Sequence, residues 1–386
     1  MRKRKICVVI TARPSYSRVK TALIAIDKHP KLKLQLILAG SSLLQRYGDV
    51  SKIIEDDGFV VSEKIYNILE GESQNSMAKT TGLAIMELAT AFANLKPDAV
   101  ITIADRFETI ATSIASSYQN IPLIHIQGGE VTGNIDEKVR HANTKLADIH
   151  FVASENARER VIKMGENPLK VFNTGCPSID LAKIVAENPS LDFDPLAKYS
   201  GVGPDIKWKD GYIVVMHHPV TTEFNDSTKH VKSLLSVIDS LNVPTFWFWP
   251  NVDAGSDGTS SGIRQYREIN NPENIHFFKN VEPNEFLKLI INSKCLIGNS
   301  SVGIRESSLL GIPVVNIGSR QNKRHRGKNV KDCAYDSASI LKTIRQQLEY
   351  GKLYPPEFIY GDGNAGEKIA ELLSDIELSF HKTIAY

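Results

Sequence analysis

Acidic residues gather in two short stretches of this sequence, where they could carry proton-transfer chemistry. Asp105 directly follows an apolar run, and Glu130 lies three residues beyond a second one, with Asp136 and Glu137 next on the same loop. Carboxylates that lie close together shift each other's pKa values, which suits general acid and base catalysis. Alternatively, Asp136 and Glu137 cap the helix that follows, and Asp105 and Glu130 are solvated loop charges.

A pair of histidines, His217 and His218, follows the apolar run Tyr212–Met216. A histidine at the end of a strand can exchange protons or hold a phosphate. Adjacent side chains on an extended chain point in opposite directions, so we expect one of the two to face a ligand. Spacings typical of histidine metal sites do not occur, so the pair does not favour metal catalysis.

The stretch from Cys295 to Glu306 combines an apolar run, a loop of small residues and the start of a helix. Backbone N–H groups at such a helix start, together with the Ser300 and Ser301 hydroxyls, can hold a phosphate. Glu306 could accept hydrogen bonds from ribose hydroxyls. No Gly-Lys-Ser/Thr follows, so this is not a Walker loop. The alternative is an ordinary tight turn between a strand and a helix.

One dense basic segment lies between Gly318 and Lys328, directly after the apolar run Val314–Ile317. Guanidinium and ammonium groups in such numbers fit a diphosphate. No second basic patch supports nucleic-acid binding. A similar loop places Arg13 and Ser17 after the first apolar run. The basic residues of the dense segment are Arg320, Lys323, Arg324, Arg326 and Lys328.

The segment Gly361–Gly366 matches the Gly-x-Gly-x-x-Gly pattern of dinucleotide-binding proteins. It lies near the C-terminus, where no strand–helix–strand unit remains to carry a ribose-binding acid. The sequence therefore predicts a loop that enters a final helix, and no dinucleotide site.

Short β-branched runs alternate with helical patterns in two blocks, which indicates an α/β protein with two parallel sheets. Residues 180–210 are rich in proline and glycine and predict a linker between the blocks. Ligands of such sheets bind outside the carboxyl ends of the strands, where all the residues above lie. The predicted strands are Lys5–Thr11, Leu34–Ala39, Ala99–Ala104, Pro122–Gln127, Ile149–Ala153, Val171–Asn173, Tyr212–Met216, Thr245–Trp249, Ile275–Phe278, Cys295–Ile297 and Val314–Ile317.

Helices are predicted between these strands and after the last of them. They cover Ser17–Lys28, Asn75–Leu95, Thr109–Gln119, Lys138–Ala147, Glu155–Met164, Thr228–Ser240, Pro283–Asn292, Ile304–Leu310 and Gly366–Asp375.

Composition excludes several classes of protein. The chain has 386 residues, a net charge of +2 and 42% hydrophobic residues, so it can bury a large core and carries no bulk charge for nucleic acid or a membrane. No apolar run approaches the roughly 20 residues of a membrane span. The four cysteines form no Cys-x-x-Cys pair, which argues against a disulfide framework or a zinc site. We expect a cytoplasmic enzyme that acts on a nucleotide-diphosphate sugar.

Beyond these residues, the sequence resembles the hydrolysing UDP-N-acetylglucosamine 2-epimerases of sialic-acid biosynthesis. The similarity extends over nearly the whole chain, to the bacterial enzymes and to the epimerase half of the animal bifunctional enzyme. It rests on Ala12-Arg-Pro-Ser-Tyr-Ser17, Gly128-Gly-Glu-Val131, Arg140-His141, Gly175-Cys-Pro-Ser178, His218-Pro-Val-Thr-Thr222, Pro250-Asn-Val-Asp-Ala-Gly-Ser256, Gly298-Asn-Ser-Ser301 and Tyr360-Gly-Asp-Gly-Asn-Ala365.

The resemblance implies the GT-B architecture, in which two Rossmann-like parallel-sheet domains face a central cleft. We expect a first domain over residues 1–180, on the sugar and acid/base side, and a second over 181–360, on the UDP side. A C-terminal helix in 361–386 would pack back on the first domain. The implied reaction needs neither metal nor NAD and releases UDP and N-acetylmannosamine through 2-acetamidoglucal.

The resemblance also implies roles for individual residues. Asp105, Glu130 and Asp136 would carry proton transfers, and His218 would stabilise the charge on departing UDP. Glu306 would bind the ribose, and the chain around Lys279, Asn280 and Val281 would contact uracil. The remaining UDP-binding residues would be Arg13, Ser17, Arg106, Asn251, Ser300, Ser301 and Arg320.

Three alternatives stay open. A sister enzyme performs the same reaction on UDP-2,4-diacetamido-2,4,6-trideoxyglucose, which differs only at C4 and C6 of the sugar. A GT-B glycosyltransferase would need an acceptor, and a non-catalytic UDP-sugar-binding protein would need no carboxylates. The resemblance further implies a homodimer or homotetramer.

Overall fold

The computed structural model describes residues 2–44, 50–69, 74–131, 135–220, 223, 226–250, 256–279 and 281–385. The chain divides into two units. The first contains Met1–Val131, Ile135–Asp180 and Tyr360–Tyr386, and the second contains Leu181–Ile359.

The first unit is built on a parallel sheet of seven strands in the order β3-β2-β1-β4-β5-β6-β7. Its strands are β1 (Arg4–Ile10), β2 (Leu32–Ala39), β3 (Val61–Ile65), β4 (Ala99–Ile103), β5 (Leu123–Ile126), β6 (Ile149–Val152) and β7 (Val171–Asn173). Its helices are α1 (Arg13–Lys28), α2 (Ser51–Asp56), α3 (Gln74–Leu95), α4 (Thr109–Tyr118), α5 (Ile135–Leu146), α6 (Glu155–Lys163) and α14 (Ala365–Asp375), and α7 (Pro177–Glu187) continues into the second unit.

The first sheet is buried on both faces. Along β1, Ile6 and Val8 pack into one hydrophobic cluster, whereas Cys7 and Val9 pack into another. Successive side chains of a strand point to opposite faces, so an uninterrupted apolar run is what a sheet covered by helices on both sides requires.

The second unit contains a seven-stranded sheet in the order β14-β13-β12-β9-β10-β11-β8, in which β8 alone is antiparallel to its neighbour. Its strands are β8 (Gly201–Val202), β9 (Ile213–Met216), β10 (Thr245–Phe248), β11 (Ile275–Phe278), β12 (Leu296–Gly298), β13 (Val314–Ile317) and β14 (Val330–Cys333). Its helices are α8 (Pro195–Lys198), α9 (Ser227–Ser240), α10 (Ser256–Asn270), α11 (Pro283–Ile291), α12 (Glu306–Leu310) and α13 (Ser337–Tyr350).

Two predictions of local structure were wrong. Helix α1 begins at Arg13 rather than Ser17, because Pro14 lies in its first turn, where the missing N–H has no partner to lose. The predicted linker 180–210 contains the end of α7, helix α8 and the edge strand β8. Strands β3 and β14 and helices α2, α7, α10 and α13 were not predicted either.

The glycine pattern Gly361–Gly366 serves the packing of α14. A Cβ on Gly366 would lie 2.7 Å from the carbonyl carbon of Thr21 on α1, so only glycine allows this approach. Asp180 accepts hydrogen bonds from the backbone N–H groups of Ala365 and Gly366, at 2.8 and 2.7 Å, and caps the helix. The pattern therefore has a structural role in the loop that enters α14.

Each sheet has one point where the strand order reverses direction, and ligands of open α/β sheets bind at such points. In the first sheet this point lies between β1 and β4, and in the second it lies between β9 and β12. Among the helices of the described part of the chain, none is both long and apolar enough to cross a membrane.

Candidate functional site

The carboxyl ends of β4 and β5 carry the predicted acidic residues of the first unit. Each strand is followed directly by a residue with a positive φ, Ala104 with φ 58° after β4 and Gln127 with φ 66° after β5. Non-glycine residues rarely adopt this conformation, and where they do it often marks a functional loop. Asp105 follows Ala104 directly, next to the reversal point of the sheet.

Arg140 of α5 connects two of the predicted acidic residues. Its side chain is 1% exposed and donates through Nη2 to the Asp105 carboxylate. Its Nη1 donates to the backbone oxygen of Glu130 at 2.9 Å. A second guanidinium, that of Arg18, lies 3.8 Å from Asp105 Oδ1. Two cations therefore compensate for the negative charge of Asp105.

The other predicted acids, Glu130, Asp136 and Glu137, lie close to one another along the chain, between the end of β5 and the first turn of α5. Glu130 is 4% exposed, so it is no solvated loop charge. Asp136 and Glu137 lie in the first turn of α5, and Asp136 is one turn before Arg140 on the same helix. Glu137 Oε1 lies 3.3 Å from His141 Nε2.

The buried ring of His125, on β5, bonds to the backbone after β4 and to a side chain of α5. Its Nε2 donates to the Ala104 backbone oxygen at 3.0 Å, and its Nδ1 lies 3.1 Å from Thr144 Oγ1. Burial lowers the pKa of His125 to about 3, so the ring is neutral. A Cβ on Gly128 would lie 2.8 Å from both His125 Nδ1 and Thr144 Oγ1, which explains the glycine.

The remaining predicted residues of the first unit lie near the same reversal point. Arg13 is the first residue of α1, and Ser17 lies one turn later with its Oγ 3.4 Å from the Arg13 oxygen. Arg106 Nε donates at 2.8 Å to Glu108, a buried carboxylate that was not predicted.

In the second unit, His217 and His218 follow β9 and are both buried. The His217 ring packs edge-on against Tyr335, with centroids 5.7 Å apart. Burial lowers the pKa of His217 to about 3. The side chain of Asn299, which was not predicted as a site residue, holds the backbone of His218 from the end of β12.

Ser300, Ser301 and Glu306 follow β12 beside these histidines. Ser301 begins a turn of 3₁₀ helix and accepts a hydrogen bond from Arg305 Nη2 at 3.1 Å. Glu306 is the first residue of α12 and is buried. Its Oε2 makes no hydrogen bond within the described residues, and the Arg305 Nε lies 3.9 Å away. A buried carboxylate oxygen in this state can accept a hydrogen bond from a ligand.

The arginines of the basic segment after β13 fall into two groups according to their hydrogen-bond partners. Arg320 Nη1 donates to the Asn299 backbone oxygen at 3.2 Å, so it lies beside the loop after β12. Arg324 donates to Gln321, and Arg326 pairs with Asp332 and donates to backbone oxygens within the segment. These two arginines hold the segment together, and Lys323 and Lys328 are exposed. Arg320 is the phosphate candidate that its contact with the loop after β12 supports.

Two predicted contacts near β10 and β11 involve residues outside the described part of the chain, Asn251 and Asn280. Lys279 follows β11 and is exposed, and Val281 is half-buried.

Both reversal points therefore carry predicted residues. These are acidic in the first unit and are histidine, serine and arginine in the second.

Residues 24–374 match the protein family described as UDP-N-acetylglucosamine 2-epimerase. The chain belongs to this family. The resemblance seen in the sequence is thereby confirmed at the family level.

Individual relatives match this epimerase-family chain over nearly its whole length. It is 32% identical over 375 residues to a protein of Legionella pneumophila named UDP-N,N'-diacetylbacillosamine 2-epimerase (hydrolyzing), and the match covers 97% of each chain. It is 28% identical over 377 residues to the UDP-N-acetylglucosamine 2-epimerase of Neisseria meningitidis serogroup B, covering 97% of this chain and 96% of the relative.

A solved structure shows the same fold. The UDP-GlcNAc 2-epimerase from Neisseria meningitidis bound to UDP-GlcNAc superposes with a TM-score of 0.78, covering 96% of this chain and 99% of that chain at 19% identity. The predicted GT-B-like fold class of this epimerase-family protein is therefore confirmed.

Four residues with clear structural roles were missed as site residues: Arg18, Arg140, Glu108 and Asn299. Two of them carried a signal, since Arg140 and Asn299 lie within the motifs of the resemblance. Their partners, however, are distant in sequence and become visible only in the folded chain.

Proposed function

We propose that this protein is a hydrolysing 2-epimerase, which converts a UDP-2-acetamido sugar and water into the free 2-epimeric sugar and UDP. The proposal rests on membership of the epimerase family and on one observation. The buried Arg140 donates to the Asp105 carboxylate and to the backbone oxygen of Glu130, and so ties together the segments that follow two neighbouring strands. Acidic side chains gathered at one end of a sheet are suited to move protons at a carbon atom.

The proposed reaction has two stages. A base removes the C2 proton, the electron pair of that bond forms the C1=C2 double bond, and the C1–O bond to UDP breaks. Water then adds to 2-acetamidoglucal, its oxygen to C1 and a proton to C2 on the opposite face. Both stages move protons and transfer no hydride, so the reaction requires no nicotinamide cofactor.

We assign the proton transfers to residues of the first unit. Asp105, Glu130 and Asp136 would act as acids and bases, and the two stages need at least one group to accept a proton and one to donate. Arg140 and Arg18 would hold Asp105 in place.

We assign the UDP contacts mainly to the second unit. His218 and Arg320 would stabilise the charge on the departing diphosphate, with Ser300 and Ser301 as hydrogen-bond donors. Glu306 Oε2, which has no hydrogen bond among the described residues, would accept one from a ribose hydroxyl. Lys279, Asn280, Val281 and Asn251, together with Arg13, Ser17 and Arg106, complete the proposed set.

Two substrates have support. UDP-N-acetylglucosamine is our first candidate, because the family description and the Neisseria relative name it. UDP-N,N'-diacetylbacillosamine, a 2,4-diacetamido-2,4,6-trideoxy sugar nucleotide, is favoured by the Legionella relative, which is 32% rather than 28% identical. The products would be N-acetylmannosamine, which feeds sialic-acid biosynthesis, or its 2,4-diacetamido counterpart.

Proton NMR in deuterated water tests the proposal. The purified protein is incubated with each sugar nucleotide separately, without acceptor, metal or NAD. Free UDP and a product deuterated at C2 are the expected result, and the larger kcat/KM identifies the substrate. Absence of UDP release from both sugars would overturn the hydrolysing reaction. The homodimer or homotetramer and the cytoplasmic location expected from the sequence stay predictions.

A further inference from the structure

The side chain of Asn299 makes a two-point contact with the backbone of a single residue. Its Oδ1 accepts a hydrogen bond from the His218 N–H at 2.7 Å, and its Nδ2 donates to the His218 oxygen at 2.8 Å. Asn299 is fully buried, so water does not compete for these bonds. The peptide groups on both sides of the His218 Cα are therefore fixed by one amide.

The backbone of Asn299 joins two further segments at the same place. Its N–H donates to the oxygen of Met216, the last residue of β9, at 3.2 Å. Its carbonyl oxygen accepts from Arg320 Nη1 at 3.2 Å and from Gln321 Nε2 at 2.9 Å. The loops after β9, β12 and β13 thus meet at this one residue, at the reversal point of the second sheet.

The chemistry of the contact selects asparagine. Aspartate would keep an acceptor for the His218 N–H but would place a second oxygen against the His218 oxygen. Serine is too short to reach both groups, and alanine would leave a buried N–H and a buried C=O without their partner. The amide matches one donor and one acceptor of the same residue.

We propose that Asn299 is a positioning residue, which holds the His218 imidazole in place for the departure of UDP. This inference rests on the proposed function, in which His218 stabilises the leaving group. The side chain of Asn299 contacts His218 and, through Nδ2 at 3.4 Å, the Tyr335 hydroxyl, whereas its backbone contacts Arg320. Substitution of the side chain therefore removes the contacts with His218 and Tyr335 and keeps the contact with Arg320. We expect turnover to suffer and binding of the diphosphate to be largely kept.

The test compares Asn299→Ala and Asn299→Asp with a matched control, Gln347→Ala. Gln347 of α13 is also a buried amide. Its Nε2 donates at 2.8 Å to the backbone oxygens of Val314 and Asn329, at the amino ends of β13 and β14. We expect kcat to fall about 10- to 100-fold in both Asn299 variants, with KM changed less than about threefold. The control should lower stability while kcat per folded molecule stays within about twofold of wild type.

A double-mutant cycle then asks whether Asn299 acts through His218. On a His218→Ala background, Asn299→Ala should lower kcat further by less than about twofold, because the group that it positions is gone. An equal fall on both backgrounds would show that Asn299 acts independently of His218 and would overturn the inference. Normal turnover by His218→Ala alone would overturn both the leaving-group role of His218 and the inference.

A spectroscopic measurement keeps the inference testable even if the protein hydrolyses neither sugar nucleotide. Ring resonances of the ten histidines are recorded, and that of His218 is assigned from its loss in His218→Ala. The inference expects this resonance to shift or broaden in Asn299→Ala and to stay unchanged in Gln347→Ala. An unchanged His218 resonance in Asn299→Ala would overturn the positioning role, whatever the reaction is.

Discussion

The Nε2 atom of His125 lies 3.0 Å from the backbone oxygen of Ala104, the residue directly before Asp105. Since a carbonyl oxygen only accepts, Nε2 carries the proton and Nδ1 is free to accept from Thr144. The bond holds Ala104 in its left-handed conformation, which by itself costs about 1–2 kcal/mol. A core histidine thereby sets the direction in which the chain leaves β4.

Replacement of this histidine should affect activity as well as stability. We expect His125→Asn to lower the unfolding free energy by about 1–3 kcal/mol and kcat by about tenfold, because the Ala104 oxygen loses its donor and Asp105 shifts. The control is His150→Asn, which removes another buried histidine from the neighbouring strand, bonded to Glu166 at 3.0 Å. Equal losses of kcat in both variants would contradict a specific role of His125.

Loss of the Arg140 guanidinium should be more severe. Arg140→Met leaves the Asp105 carboxylate and the Glu130 oxygen without a buried donor, so we expect a stability loss of about 3–5 kcal/mol and a fall in kcat of about 100-fold or more. Urea unfolding and the NMR assay measure the two effects. Arg158→Met, which removes a partly exposed pair with Glu155 and a hydrogen bond to the Val171 backbone oxygen, both at 3.2 Å, should change stability by about 1 kcal/mol.

A neutral replacement of Asp105 separates binding from turnover. Asp105→Asn keeps the size of the side chain but removes its ability to accept a proton. We expect UDP to bind with a Kd within about threefold of wild type by calorimetry, and turnover to be abolished. Unchanged turnover would remove Asp105 from the catalytic set, and loss of UDP binding would point instead to a structural role.

Glu306 should contribute to UDP binding through a hydrogen bond from a ribose hydroxyl. A charged hydrogen bond of about 1.5–3 kcal/mol corresponds to a weakening of UDP binding by about 10- to 100-fold in Glu306→Ala. The wild type should bind 2',3'-dideoxy-UDP weakly, whereas the variant should bind it as well as UDP. Continued discrimination by Glu306→Ala would show that another group reads the ribose hydroxyls.

The lowered pKa values of two buried histidines predict how the unfolding free energy depends on pH. Burial lowers the pKa of both His125 and His217 from 6.5 to about 3. Between these values the unfolded chain binds more protons than the folded one, so the unfolding free energy falls as pH drops. Each histidine contributes up to about 1.4 kcal/mol per pH unit between about pH 6.5 and pH 3.

A single substitution tests the contribution of His217. His217→Phe keeps a ring against Tyr335 and removes the titrating group, so urea unfolding between pH 7 and pH 5 should show a shallower loss of stability than the wild type. The exposed His381, changed to Phe, should leave this slope as it is. An unchanged slope in His217→Phe would contradict the neutral, buried state of the ring.

Parts of the fold that depend on near neighbours in sequence were predicted well, and parts that depend on distant neighbours were not. The largely apolar runs of β4, β5, β9 and β13 are visible because parallel strands covered on both faces need apolar residues at nearly every position. Strand β8 is only two residues long and lies in a stretch rich in glycine and proline. It is a strand solely because it pairs with β11.

The sequence alone established which residues lie at the carboxyl ends of the strands, and thereby named Asp105, Glu130 and the pair His217 and His218 as candidates, from which the family resemblance selected His218. It did not determine which side chains hold them. Arg140 lies 35 residues from Asp105, and Asn299 lies 81 residues from His218, so these bonds form only when separate strands and helices pack together. The local sequence pattern predicts which residues follow a strand. The residues that contact them depend on the order of the strands in the sheet and on how the helices pack against it.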